Sequence, residues 1–107
     1  MTKTAPFSNK NMHFTLNLPD WAITELNELP SMLPTQEERM TAVINFANLN
    51  VKHNTGGPFA AGVFERDTGK LVVIGVNRVM PSNCSSAHAE VMAISLAQQL
   101  LGTYDLG

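Results

Sequence analysis

The functional groups best suited to chemistry lie in the last third of the chain, in the run Cys84-Ser85-Ser86-Ala87-His88-Ala89-Glu90. A neutral imidazole is a good zinc ligand. A carboxylate two residues further on, in the same first helical turn, can lie near a metal-bound water without binding the metal itself. A helix N-terminus adds free N–H groups and positive potential, which favour hydroxide and negative charge developing on a ring under attack. Zinc lowers the pKa of its water to about 7, so a nucleophile is available near neutral pH. A glutamate can take the released proton and return it to a ring nitrogen and then to a departing amine. His88 is therefore the candidate metal ligand and Glu90 the candidate general acid/base. The His-x-Glu triplet alone is a weak pattern that many helices carry by chance; its weight here comes from its place at a helix start and from the elements before it.

Those elements can be read from spacing and composition. Residues Met1 to Pro19 are polar and irregular. Asp20 stands before Trp21-Ala22-Ile23-Thr24-Glu25-Leu26 as an N-cap signal for a short helix that Pro30 ends, and Ser31 to Pro34 form a linker. Thr35 and Glu38 have capping-box spacing, in which each side chain satisfies a backbone N–H of the first turn. Met40, Val43, Ile44, Ala47 and Val51 then recur on one helical face until Asn54 and Gly56-Gly57 stop the helix. Pro58 to Glu65 reads as a strand, Arg66 to Gly69 as a turn, and Leu71 to Val76 as a second strand, rich in β-branched residues. Together they predict an antiparallel hairpin whose second strand is apolar enough for burial on both faces. Asn77 to Ser85 is a polar loop. Ser85 or Ser86 can cap a last helix from about Ala87 to Leu101, which is apolar around most of its circumference and so is expected to be buried against more than one partner.

The chain has 107 residues, enough for one small domain. Its apolar fraction of 44% is ordinary for a globular protein, and its charged fraction of 15% is low. The net charge of −2 argues against a protein whose main task is gripping phosphate backbones, since that affinity comes from Lys and Arg. One cysteine excludes an internal disulfide. Met1 to Asn11 carry no apolar secretory core, and no run approaches the ~18 apolar residues of a membrane span. A cytoplasmic protein without a membrane partner is the expectation. A two-stranded hairpin is marginal alone, and the second strand and last helix both call for neighbours, so the domain is expected to continue past Gly107. Residues 1–33 read as an N-terminal extension with one short helix, and 34–107 as the N-terminal portion of an incomplete domain.

His-Ala-Glu at a helix start after a hairpin resembles the first half of the zinc deaminase signature, His-x-Glu followed by Pro-Cys-x-x-Cys. Gly56-Gly57-Pro58-Phe59-Ala60-Ala61, then Asn77-Arg78-Val79, then Ala87-His88-Ala89-Glu90 resemble the purine branch of the cytidine/deoxycytidylate deaminase superfamily. That branch holds the guanine deaminases and the tRNA adenosine deaminases. Cys84, four before His88, is most similar to the guanine deaminase type, and the resemblance covers roughly residues 35–107. It implies an α/β fold, a three-layer α/β/α sandwich around a mixed five-stranded sheet. Helix, β-hairpin and helix would be its N-terminal part. It further implies a zinc cofactor and a homodimer, acting on a small nucleobase by converting guanine to xanthine and ammonia. By the same resemblance His88 matches the zinc histidine, Glu90 the general acid/base, Ala89 the position whose N–H faces the substrate carbonyl, and Asn77 the loop asparagine that bonds the base. The second motif, with two zinc cysteines, is absent, and Cys84 cannot replace both. A catalytic zinc normally has three protein ligands plus water, so this chain by itself is not expected to hold catalytic zinc well.

Plainer roles compete at each position. Asn77 also suits a strand-ending turn. Cys84 fits a small loop or buried thiol, and Phe59, Met40 and Met92 fit core packing. His13 and His53 are expected to face solvent, and Arg78 to be a surface residue or to touch an anionic ligand. At the level of function, a tRNA adenosine deaminase shares these loops but must hold an RNA stem-loop. The acidic balance and the absence of a basic cluster count against it, so nucleic acid is not the expected partner. A deaminase-like fragment kept for dimerisation is the non-catalytic alternative, supported by the missing cysteines.

Overall fold

The computed structural model describes residues 12–107, and the reading of Met1 to Asn11 as free of a secretory core lies outside them. Six elements follow in chain order: α1 (Asp20–Glu28), α2 (Gln36–Lys52), β1 (Ala60–Phe64), β2 (Leu71–Val76), α3 (Val79–Ser82) and α4 (Ala89–Leu101). No helix among the described residues is long and apolar enough to cross a membrane.

β1 and β2 form the expected antiparallel hairpin, with Ala61 opposite Gly75 and Gly62 opposite Ile74, and a register shift between Val63 and Phe64. Successive residues of a strand point to opposite faces, and the glycines show what lies on each. A Cβ on Gly62 would meet the Val43 side chain of α2, whereas one on Gly75 would meet Ala89 and Ala93 of α4. The sheet therefore lies between α2 and α4, and the α/β, three-layer arrangement of helix, hairpin and helix is present. Ile74, Val76 and Phe46 are fully buried, Val73 nearly so, and they form one core with Met92 and Ala97. The expected burial of the second strand on both faces is observed over Val73 to Val76.

α1 leads through its linker to the outer edge of β2. The linker pairs with that strand's edge through Leu33 N–H to Gly69 O at 2.8 Å and Leu71 N–H to Ser31 O at 2.9 Å. Trp21 packs its ring 5.5 Å from Phe46 and stacks 5.3 Å from His53. Leu18, Ala22 and Leu33 share the same core as the sheet. Asp20 is not the N-cap: Pro19 holds that place in extended conformation, and Asp20 sits inside the first turn, where a carboxylate favours the helix dipole.

Three further expectations are corrected. In α2, Thr35 caps the helix by accepting from Glu38 N–H at 3.1 Å, but the Glu38 carboxylate accepts from the Thr35 hydroxyl at 2.8 Å and not from its backbone, so the box closes on one side only. The buried stripe of α2 is Ala42, Phe46 and Asn50, spaced four apart, while Met40 and Ile44 are 56% and 53% exposed. Phe46 has the largest ring on the helix, and it fixes which face turns inward. α4 is buried along one face only, through Ala89, Met92, Ala93 and Ala97. Val91, Ile94, Leu100 and Leu101 are exposed because the sheet is the layer that meets this helix.

The approach of α4 to the sheet depends on the missing side chain of Gly75. A Cβ there would stand 2.6 Å from Ala93 N and 2.9 Å from Ala89 O, both backbone atoms of the helix. Gly75→Ala must push the helix outward. The expected outcome is a urea midpoint lowered by about 1–3 kcal/mol of stability, the usual cost of overpacking, with the slope of the transition unchanged. An alanine variant as stable as the parent would show that the helix is not seated on this glycine.

Candidate active site

α4 begins two residues later than spacing predicts, and its first turn is built without a serine cap. Ala87 N–H donates to Cys84 O at 3.1 Å and His88 N–H to Ser86 O at 2.8 Å, so residues 84–88 form a turn of their own. Ala87 O is taken by the backbone N–H of Arg78 at 2.9 Å, which keeps it out of the helix. His88 becomes the N-cap residue in extended conformation, and its carbonyl accepts the first helical bond, from Met92 N–H at 2.9 Å. Burial alternates through this turn: Ala87 and Ala89 are fully buried, while His88 and Glu90 are exposed. The two alanines anchor the backbone in the core, and the imidazole and carboxylate stand at the surface on the first turn of α4. Ala89 and Glu90 lie where helical N–H groups have no intrahelical acceptor.

Asn77 ends β2 and is almost completely buried, at 9% exposure. Its N–H donates to Phe59 O at 3.1 Å, and its Oδ1 accepts weakly from Val79 N–H at 3.3 Å, the turn role that Asn suits. Its Nδ2 makes no hydrogen bond among the described residues. The structure brings Asn77 and the His88-Ala89-Glu90 turn together through the backbone bond from Arg78 N–H to Ala87 O and the close packing of Gly75 on Ala89. Between them the expected loop contains the short helix α3, opened by Arg78 and closed by Asn83 in left-handed conformation; Pro81 is tolerated because it falls within the first turn.

The residues that hold this corner were not singled out from sequence. Asn50 is fully buried on α2, and its Nδ2 donates at 2.9 Å both to Gly57 O and to Asn77 O. Its Oδ1 accepts from Thr55 Oγ1 at 2.7 Å, and the same hydroxyl accepts from Trp21 Nε1 at 2.8 Å. Gly56 completes the fit, since a Cβ there would fall 2.0 Å from Asn77 O. A polar residue in line with Ala42 and Phe46 is the signal that could have revealed Asn50. Phe59, expected in the core, is 58% exposed, because β1 turns inward only from Ala60. Met40 departs from the core expectation too, whereas Met92 meets it. His13 and His53 are exposed as expected, although His53 stacks on Trp21. Cys84 lies 3.2 Å from Ser86 Oγ as a half-buried thiol.

No group of three or more His, Cys, Asp or Glu side chains among the described residues could hold a metal ion. His88 and Glu90 offer one imidazole and one carboxylate, short of the three protein ligands of a catalytic zinc. These residues by themselves do not make a zinc site. A groove of about 360 Å³ runs along the flank of α4 beside Phe14, Leu16, Val91 and Ser95. Neither His88 nor Glu90 lines it.

No protein-family model matches the chain. A guanine deaminase of Bacillus subtilis (strain 168) is 40% identical over 70 residues, which are 65% of this chain and 44% of that protein. The chain resembles guanine deaminases. The solved structure of a guanine deaminase from Nitrosomonas europaea is 44% identical over 94% of this chain and 53% of its own, with a TM-score of 0.78. The structure of NE0047 in complex with 2,6-diaminopurine is 45% identical over 92% of this chain and 50% of its own, with a TM-score of 0.79. The chain spans about half the length of the relatives it matches.

Asn50→Ala would strip donors from two carbonyls and an acceptor from Thr55. A loss of roughly 1–3 kcal/mol is expected in chemical denaturation, from the buried Asn77 O left unpaired, since Gly57 O keeps Phe59 N–H and the Thr55 hydroxyl keeps Trp21 Nε1 and the Asn50 backbone carbonyl. Asn50→Asp keeps the shape and, ionised, has no donor, so it should not recover stability. An aspartate variant as stable as the parent would remove the amide hydrogens from this role.

Proposed function

We propose that these residues form one half of a zinc-dependent hydrolytic deaminase acting on guanine. The observation that carries the reading is the pairing of His88 and Glu90 on the first turn of α4, in a chain about 45% identical to NE0047 over nine-tenths of its length. In it, residues 34–107 are the N-terminal portion of the catalytic domain, behind the extension 1–33, and the whole works as a cytoplasmic homodimer. His88 supplies one zinc ligand, and the remaining ligands come from residues other than these 107. When bound, zinc supplies a nucleophile at neutral pH and polarises the reacting centre.

The work of this chain's own residues follows from their placement. Glu90 takes a proton at its carboxylate and returns it, first to the ring nitrogen and then to the departing amine, so that guanine plus water gives xanthine plus ammonia. Ala89 N–H faces the substrate carbonyl from a helix N-terminus, where a donor is free and the potential is positive. Asn77 offers Nδ2 to the base from a backbone that Asn50 holds rigid. Burial of Ala87 and Ala89 fixes the turn, which keeps His88 and Glu90 in register without a serine cap.

The native protein supplied with zinc should release ammonia from guanine. Glu90→Gln should retain its zinc and lose activity by about 10²–10⁴-fold, the range of a general acid/base. Substantial activity in that variant would take Glu90 out of its role. Turnover of adenosine in an RNA stem-loop with none of guanine would move the chain to the RNA-acting branch. No zinc and no turnover would leave a deaminase-like module that serves in assembly.

A further inference from the structure

Arg78 follows the candidate base contact and has no part in the chemistry above. Its guanidinium reaches two carbonyls distant in sequence: Nη1 donates to Thr55 O at 2.8 Å, and Nε to Asn17 O at 3.2 Å. Its backbone N–H holds Ala87 O at 2.9 Å, immediately before His88, and its carbonyl accepts from Ser82 N–H at 3.0 Å to start α3. Among the described residues Arg78 pairs with no carboxylate, so its charge is spent on main-chain oxygens. It is neither a free surface residue nor turned to an anion.

We propose that Arg78 is a positioning residue that sets the placement of the Asn77 amide against the His88-Ala89-Glu90 turn and straps residues 12–19 beside the start of α4. The planar guanidinium can satisfy two carbonyls in a fixed fork, which an ammonium on a flexible stem does not reproduce. Asn77 is held from one side by Asn50, and the turn before α4 from the other by Ala87 and Ala89. The peptide joining them spans residue 78, and its side chain pins it to the loop after α2 and to Asn17. The strap so tethered lays Phe14 and Leu16 along a groove shared with Ser86 and Val91, next to the catalytic turn.

The catalytic consequence rests on the deaminase reading; the geometric link does not. Asn77 is assigned to binding the base, an interaction made in ground state and transition state alike, whereas His88 and Glu90 are seated by the packing of α4 on the sheet. Loss of the fork should therefore raise KM more than it lowers kcat. Arg78→Lys and Arg78→Met, which keeps the aliphatic stem, are compared with the parent. Both are expected to raise KM for guanine about tenfold with kcat within about threefold, as a displaced binding group should. Bound zinc should stay unchanged, and faster amide exchange should be confined to residues 12–19 and 77–90. Parent-like KM and exchange would overturn the proposal. So would a uniform loss of stability with kcat falling and KM unmoved, the mark of a merely structural residue. Should the parent itself not turn over guanine, the deaminase reading fails, and exchange at residues 77–90 in the two variants still decides whether Arg78 positions that turn.

Discussion

A side-chain amide buried at the C-terminal end of α2 holds the loops of this protein in place. Asn50 donates to two carbonyls: Gly57 O, which it shares with Phe59 N–H, and the buried Asn77 O, which would otherwise face the interior unpaired at a cost above what an ordinary hydrogen bond returns. The bond to Asn77 O fixes where β2 ends. The bond to Gly57 O fixes how the chain enters β1. Thr55 extends the same network to Trp21 and, through its carbonyl, to Arg78, so α1, α2 and both ends of the hairpin meet around one amide.

The turn that carries His88 and Glu90 depends on that corner and on a second, apolar constraint. Gly75, Ala89 and Ala93 bring strand and helix backbones into close approach. The small buried Ala87 and Ala89 therefore alternate with the exposed His88 and Glu90. The proposed ligand and proton carrier stand on a rigid floor of alanines, and their side chains remain free to meet a metal and a substrate.

Much of this was legible in the sequence because it follows from local rules. The hairpin is specified by β-branched runs around Arg66-Asp67-Thr68-Gly69, α2 by Thr35 and Glu38, and the candidate triplet by its place at a helix start. What escaped was decided by tertiary contact. Met40 and Ile44 have the right period for a core face, yet Phe46 outweighs them and turns the helix. The start of α4 moved because Arg78 captured the carbonyl of Ala87, a bond between residues nine apart that no window of helix propensity contains. Asn50 was hidden in the same way, because its partners lie seven and twenty-seven residues away.

The packing of Trp21 also makes the molecule optically readable. It is the chain's one tryptophan, held between Phe46 and His53 with its indole N–H on Thr55. Tryptophan emission, excited at the red edge where Tyr104 does not absorb, therefore samples the junction of α1 with the end of α2 and not the α4 side of the sheet. Emission recorded against far-ultraviolet dichroism separates undocking of the first helix from collapse of the whole fold, with no label attached.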